Sequence, residues 1–199
     1  MAEKKIEIGK AIKYGWESVK KNLWYFVGLA FVVCALQSIG SYGSDTDMNL
    51  WDLVGFLAST WMTVGYLYMI LSFYDKKKKP LVEVFGQWKY FGRALLASIL
   101  LALIIGLGFI LLVVPGFYLA LKYQFVLNLI VDKDLSISEA MKESAAMTKG
   151  VKLRLFGFMF AVIGVMLLGV ICLGVGVLVA MPVVWLAEIY IYRNLLATK

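Results

Sequence analysis

Six apolar segments, each long enough to cross a lipid bilayer, dominate this sequence of 199 residues. A transmembrane helix needs about 20 mostly apolar residues. The segments are Leu23–Tyr42, Leu50–Tyr74, Ala94–Val114, Pro115–Val131, Leu153–Leu173 and Gly176–Ala197. Hydrophobic residues make up 62% of the chain and charged residues 17%, which leaves too little polar surface for a soluble domain. The sequence therefore predicts an all-α integral membrane protein with six transmembrane helices, folded as one membrane domain over residues 1–199.

The distribution of charge predicts the orientation of these helices. Every lysine and arginine except Lys122 lies in segments 1–22, 75–93 and 132–152 or near the helix ends on the same side. The loop "GSDTDMNLWD" on the other side contains aspartates but no lysine or arginine. Positive residues favour the cytoplasmic side of a membrane. Both termini are therefore predicted to be cytoplasmic.

Three of the cytoplasmic segments have apolar residues at spacings of three and four, which is typical of amphipathic helices. We expect these helices to lie flat on the membrane or to pack against the core, and a surface for lipid or a partner is the alternative. Their apolar positions are Ile8, Ala11, Ile12, Gly15, Trp16 and Val19 in the first, Leu81, Val84, Phe85 and Trp88 in the second, and Ile137, Ala140, Met141, Ser144 and Ala145 in the third.

Each amphipathic segment is followed by two spans, which predicts three repeats over residues 6–74, 75–131 and 132–199. Ungapped alignments that place Ile8 on Ile137 and Pro115 on Pro182 support this interpretation, and Asp75 then corresponds to Asp132. All three repeats enter the membrane from the same side, so they are parallel. Inverted repeats are the more familiar feature of alternating-access transporters. The pattern therefore favours other functions over transport.

A run of lysines, "DKKKKP", follows the second span and predicts contact with anionic lipid. A cationic cluster beside an anionic leaflet is attracted to it. The alternative is that the lysines only orient the chain during insertion. The residues expected to contact lipid, which we call the basic collar, are Lys76, Lys77, Lys78, Lys79, Lys89 and Arg93.

Two charged residues, Lys122 and Glu188, lie inside predicted spans. The alignment of Pro115 with Pro182 places them at similar depth. Charges within a membrane usually face the interior of the bundle and pair with one another. Two hypotheses stay open: a Lys122–Glu188 pair that fixes helix contacts, or a polar site for a solute or proton. Gln37, Gln124 and Asn128 could extend this polar interior.

The sequence lacks the residue patterns of most enzymes. It contains no histidine, and it shows no glycine-rich phosphate loop and no metal-ligand spacing. The glycines in "GLGFILLVVPG" and "GVICLGVGV" lie in predicted spans, where they allow helices to approach closely. The net charge of +7 is explained by cytoplasmic loops. We therefore expect no enzymatic activity, no cofactor, no bound metal and no nucleic-acid partner.

The region from Pro115 to Phe160 has a proline opening a span, Asp132 at the inner end of that span, the polar helix "EAMKESAAMTKG" and a new span beginning "LRLFGF". It resembles uncharacterised bacterial membrane-protein families related to the membrane domain attached to some glycerophosphodiester phosphodiesterases. The resemblance covers the last two repeats. It implies a multi-pass module of the bacterial cytoplasmic (inner) membrane and little about activity, because no catalytic phosphodiesterase domain accompanies it.

Together these features predict a non-enzymatic membrane protein. We expect it to bind or organise lipids, or to scaffold a membrane-protein partner, through the basic collar. The alternative is a small transporter or channel with a polar site at Lys122 and Glu188.

Overall fold

The computed structural model describes residues 6–39, 50–77, 79–172 and 175–198, and within these ranges the chain is helical with no β-strand. A short 3₁₀ helix covers Leu81–Gly86. The α-helices are α1 (Ile8–Lys21), α2 (Leu23–Ile39), α3 (Leu50–Tyr74), α4 (Trp88–Leu111), α5 (Val113–Tyr123), α6 (Val126–Lys133), α7 (Ile137–Thr148), α8 (Lys152–Ile171) and α9 (Val175–Ala197).

Five helical segments in the described part of the chain are long and apolar enough to span a membrane, as expected for a multi-pass membrane protein. The predicted first span, Leu23–Tyr42, is described only as far as Ile39, and its apolar stretch Leu23–Ala35 is shorter than a span. That this first segment crosses the membrane, which would bring the number of spans to six, therefore stays a prediction. The five segments are Leu50–Tyr74, Trp88–Leu111, Val113–Lys133, Lys152–Ile171 and Gly176–Ala197.

The most apolar helices are also the least buried ones. In their most apolar stretches, α4 and α8 have mean hydropathies of 2.8 and 2.3, and 17% of each stretch is buried. The corresponding stretches of α3 and α9 are less apolar, at 1.5 and 1.4, yet 39% and 44% of them are buried. A protein surrounded by water shows the opposite order, with its apolar residues inside. The outward faces of α4 and α8 are therefore suited to lipid.

The helices contact one another in a cyclic order. Each of α2, α4 and α8 packs against the helix that follows it and against the second helix of the preceding hairpin, which is α9 for α2, α3 for α4 and α5 for α8. The amphipathic segments follow the same order: α1 packs on α9, the 3₁₀ helix on α3, and α7 on α5 and α6. The helices α3, α6 and α9 form the interior because α3 also contacts α6 and α9.

Two of the three predicted amphipathic helices form, each with part of its predicted apolar face buried. Ala11, Gly15 and Val19 of α1 are buried, whereas Trp16 on the same predicted face is 53% exposed. Helix α7 begins with a capping box in which Ser136 and Glu139 bond to each other's backbone amides. Its residues Ala140, Ser144, Met147 and Thr148 are buried. Both helices are packed on the core, which is one of the two placements that the sequence led us to expect.

The second amphipathic segment differs from the prediction. It forms only the 3₁₀ helix Leu81–Gly86, and Trp88 begins α4, which runs without interruption to Leu111. Val84 lies against Gly65 of α3, where a Cβ on the glycine would overlap the Val84 carbonyl oxygen. This close contact holds the short segment on α3. The helix then restarts at Trp88, so the span begins before the predicted Ala94.

Glycines close the hairpins as predicted. Only Leu112 separates α4 from α5, and a Cβ on Gly108 would lie 3.1 Å from the Cα of Gly116. At the α8–α9 hairpin, a Cβ on Gly169 would lie 3.1 Å from the carbonyl oxygen of Gly176. Small residues at these points let the two backbones approach closely.

Candidate functional site

An arginine near the end of α9 joins the ends of three interior helices. The guanidinium of Arg193 donates from Nη1 to Asp132 Oδ2 at 3.0 Å and from Nη2 to Asp132 Oδ1 at 2.8 Å. Its Nη2 also donates to Asp75 Oδ2 at 2.7 Å, and the hydroxyl of Tyr192 donates to Asp132 Oδ2 at 2.8 Å. A two-point arginine–carboxylate contact is both strong and directional. We call Asp75, Asp132, Tyr192 and Arg193 the arginine cluster.

The two aspartates of the arginine cluster are the pair that the repeat alignment had matched. No local sequence pattern predicts that Arg193 binds both of them, because the charge distribution places all three residues only near helix ends on one side. The side chains of Asp132 and Arg193 are 10% and 16% exposed, whereas Asp75 is 45% exposed. The Asp132–Arg193 contact is therefore the stronger link, since exposed ion pairs are weakened by water.

Three of the six basic-collar residues form ion pairs with acidic side chains of the protein itself. Lys79 forms an ion pair with Glu83 at 3.1 Å, and Lys89 and Arg93 both bind the carboxylate of Asp134. The ammonium of Lys89 and the guanidinium of Arg93 hold the pKa of Asp134 below its ordinary value. These contacts fix the start of α4 to the turn between α6 and α7.

Of the other three basic-collar residues, the structure describes Lys76 and Lys77 but not Lys78. Lys76 and Lys77 are exposed. Lys77 and Lys79 line a cavity of about 300 Å³ that also reaches Ser72, Tyr90 and Asp132. Lysine ammonium groups, hydroxyl groups and carboxylates thus meet at one polar recess beside the arginine cluster.

The side chains of Lys122 and Glu188 have different neighbours. The Lys122 ammonium lies over the ring of Tyr123, 4.9 Å from its centroid, while Glu188 has the side chain of Asn128 beside it. Among the residues that the structure describes, no ion pair joins Lys122 to Glu188. The side chain of Gln37 lies outside the described part of the structure.

The predicted fourth span is interrupted where its polar residues lie. Helix α5 ends at Tyr123 and α6 begins at Val126. In a continuous helix the carbonyl of Lys122 would accept a bond from the amide of Val126. Instead it accepts from the hydroxyls of Ser144, at 2.9 Å, and Thr148, at 3.3 Å. Helix α7 therefore stabilises the break, and it places the Lys122 backbone beside a segment predicted at the membrane surface.

A cavity of about 270 Å³ lies beside this break, between α5, α8 and α9. Its polar lining residues are Gln124 and Glu188, and the rest of its wall is apolar. The amide nitrogen Gln124 Nε2 is buried without a hydrogen-bond partner, and the buried Asn128 side chain lies beside Glu188. Buried polar groups in proteins are nearly always bonded, so each exception needs an explanation. The sequence indicated these residues but not the break that groups them.

Within the described ranges, no three histidine, cysteine, aspartate or glutamate residues are grouped to hold a metal ion.

Comparison with known protein families gives a match in the second half of the chain. A domain of the family described as "Protein of unknown function (DUF975)" is found at residues 108–199. This region includes the cavity, Asp132 and Arg193, but it excludes Asp75 and the basic collar. No curated protein and no solved structure matches the chain. Nothing in the comparisons links the chain to the membrane domain attached to some glycerophosphodiester phosphodiesterases, so that relationship stays a prediction. The second half of this chain is thus similar to a family whose function is unknown.

Proposed function

We propose that this protein is a six-span protein of the bacterial cytoplasmic membrane that binds or organises lipids, or scaffolds a membrane-protein partner, through its basic collar. The observation that carries the proposal is the position of Lys76 and Lys77, which are exposed directly after the inner end of α3. They lie in the same turn as Asp75, whose carboxylate bonds to Arg193 of α9. This contact connects the turn that carries the two exposed cations to α9.

The cyclic order of helix contacts supports the three-repeat architecture in this proposal. Parallel repeats related by rotation would place each amphipathic segment on the second helix of the preceding repeat. The contacts of α1 with α9, of the 3₁₀ helix with α3, and of α7 with α6 follow this rule. The sixth span in the proposal is α2, continued by residues 40–42 outside the described ranges.

We predict that changing Lys76, Lys77, Lys78 and Lys79 to glutamine weakens binding to anionic lipid. A basic residue near an anionic surface contributes about 1 kcal/mol. Loss of two fully effective lysines should therefore lower affinity at least tenfold. Purified protein and variant are compared for binding to phosphatidylglycerol vesicles at low salt, with phosphatidylcholine vesicles as the control.

High salt should remove the difference between protein and variant, because salt screens exposed charges. Equal binding of both proteins to phosphatidylglycerol at low salt would mean that the lysines act only as an orientation signal.

We predict that cysteines placed at Ser44 and Lys78 are labelled from opposite sides of the membrane, with Ser44 outside and Lys78 inside. Both positions lie outside the described residues, and the expectation comes from the positive-inside distribution of charge. The native Cys34 and Cys172 are first changed to alanine. A membrane-impermeant maleimide is applied to cells and to inverted vesicles, and labelling of both positions from one side contradicts the six-span topology.

A small transporter or channel is the second candidate. The interrupted fourth span and the cavity that reaches Glu188 favour it, because broken helices often form the substrate sites of transporters. Purified protein in liposomes would have to show solute or ion flux that depends on Glu188. Absence of flux together with lipid binding favours the first proposal.

A further inference from the structure

The cavity between α5, α8 and α9 combines a carboxyl group with aromatic walls. Glu188 lines it on α9, and no ion pair to Glu188 is found among the described residues. Phe117 and Phe158 line it from α5 and α8. A carboxylate in apolar surroundings is costly unless a cation compensates it. Aromatic rings attract cations through their faces, most strongly where water is excluded. This wall is therefore suited to an organic cation.

The polar groups of the cavity decide what a ligand must supply. Gln124 and Glu188 are its polar lining residues. The Gln124 nitrogen is buried and leaves no space beside it for a ligand atom. Asn128 lies beside Glu188 and is 2% exposed, so it belongs to the protein interior. Glu188 is therefore the group to which a ligand's cation would pair.

The break in the fourth span lies beside this cavity. Ser144 and Thr148 hold the Lys122 carbonyl, so the chain does not continue as an α-helix through Gln124. The arrangement is maintained from outside the cavity by α7. The cavity therefore does not depend on a ligand for its polar lining.

We propose that this cavity binds an amphipathic amine. The ammonium group pairs with Glu188, and the apolar body packs among Phe117, Phe158 and Val184. The site is separate from the basic collar and requires no transport step. It therefore stands or falls independently of lipid binding at Lys76–Lys79.

The test uses propranolol, an aryloxy amino alcohol with a secondary amine, a hydroxyl and an ether oxygen. Its binding to the purified full chain in neutral detergent is measured by isothermal titration calorimetry. We expect saturable binding that Glu188→Gln weakens at least tenfold. The matched control is Glu17→Gln, which removes an exposed carboxylate from α1 and should leave the affinity unchanged. The analogue 1-(1-naphthyloxy)propan-2-ol, which lacks the amine, should bind at least tenfold more weakly than propranolol.

A second variant keeps the test valid if Glu188→Gln fails to fold. Ala120→Leu adds volume to the cavity wall and leaves Glu188 in place, so it should also abolish binding. Thermal unfolding of each variant shows that it is folded. The proposal is overturned if the unaltered protein does not bind propranolol, if the neutral analogue binds equally well, or if folded Glu188→Gln or Ala120→Leu retains full affinity.

Discussion

Replacing Arg193 with methionine should lower the free energy of unfolding by about 3 kcal/mol, because it leaves the carboxylate of Asp132 without its cation. The Asp132 side chain is 10% exposed, so water cannot replace the lost guanidinium effectively. The same change also releases Asp75 at the end of α3. Thermal and denaturant unfolding in detergent, followed by circular dichroism, measure the effect.

The double variant Arg193→Met with Asp132→Asn should be more stable than Arg193→Met alone. The asparagine removes the unpaired charge and retains an oxygen that can accept the bond from Tyr192. Lys13→Met is the matched control, because Lys13 and Glu17 form an exposed ion pair at 3.9 Å. Its stability should change little. A double variant that loses the full sum of the two single effects would show that Asp132 and Arg193 are not energetically coupled.

Two glycine-to-alanine changes in α1 should have opposite signs. A Cβ on Gly15 would overlap the carbonyl oxygen of Val183 in α9, whereas a Cβ on Gly9 would meet nothing within 4 Å. Gly15→Ala should therefore destabilise the protein by about 1–3 kcal/mol, since overpacking forces α1 away from α9. Gly9→Ala should stabilise it by about 0.5–1 kcal/mol, because alanine favours the helix. The same unfolding measurements report both changes.

The comparison of Gly9 with Gly15 tests how α1 is packed. If α1 lay on the membrane surface without contact to α9, both alanine variants would be equally stable or slightly stabilised. A lower stability of Gly15→Ala alone requires the close contact with α9.

Local patterns were sufficient to predict much of the secondary structure. Apolar length determines where a chain can cross lipid, so the predicted spans after Leu50 are recovered with small shifts at their ends. The buried positions Ala11, Gly15 and Val19 of α1, and Ala140 and Ser144 of α7, follow from helical periodicity. These properties depend on neighbouring residues along the chain, which is why the sequence contains them.

Contacts between distant segments were decided by the tertiary structure. Arg193 binds Asp75 and Asp132, which are far from it in sequence, and no local pattern specifies such a pairing. The sequence predicts a continuous, mostly apolar fourth span. In the structure, the hydroxyls of Ser144 and Thr148 bond to the carbonyl of Lys122, and the span is divided into α5 and α6 at this point. The sequence by itself determined which segments are long and apolar enough to cross a membrane and where apolar helix faces lie. Only packing decided which polar groups meet, because hydrogen bonds and ion pairs need atoms within a few ångströms, and folding alone brings those atoms together.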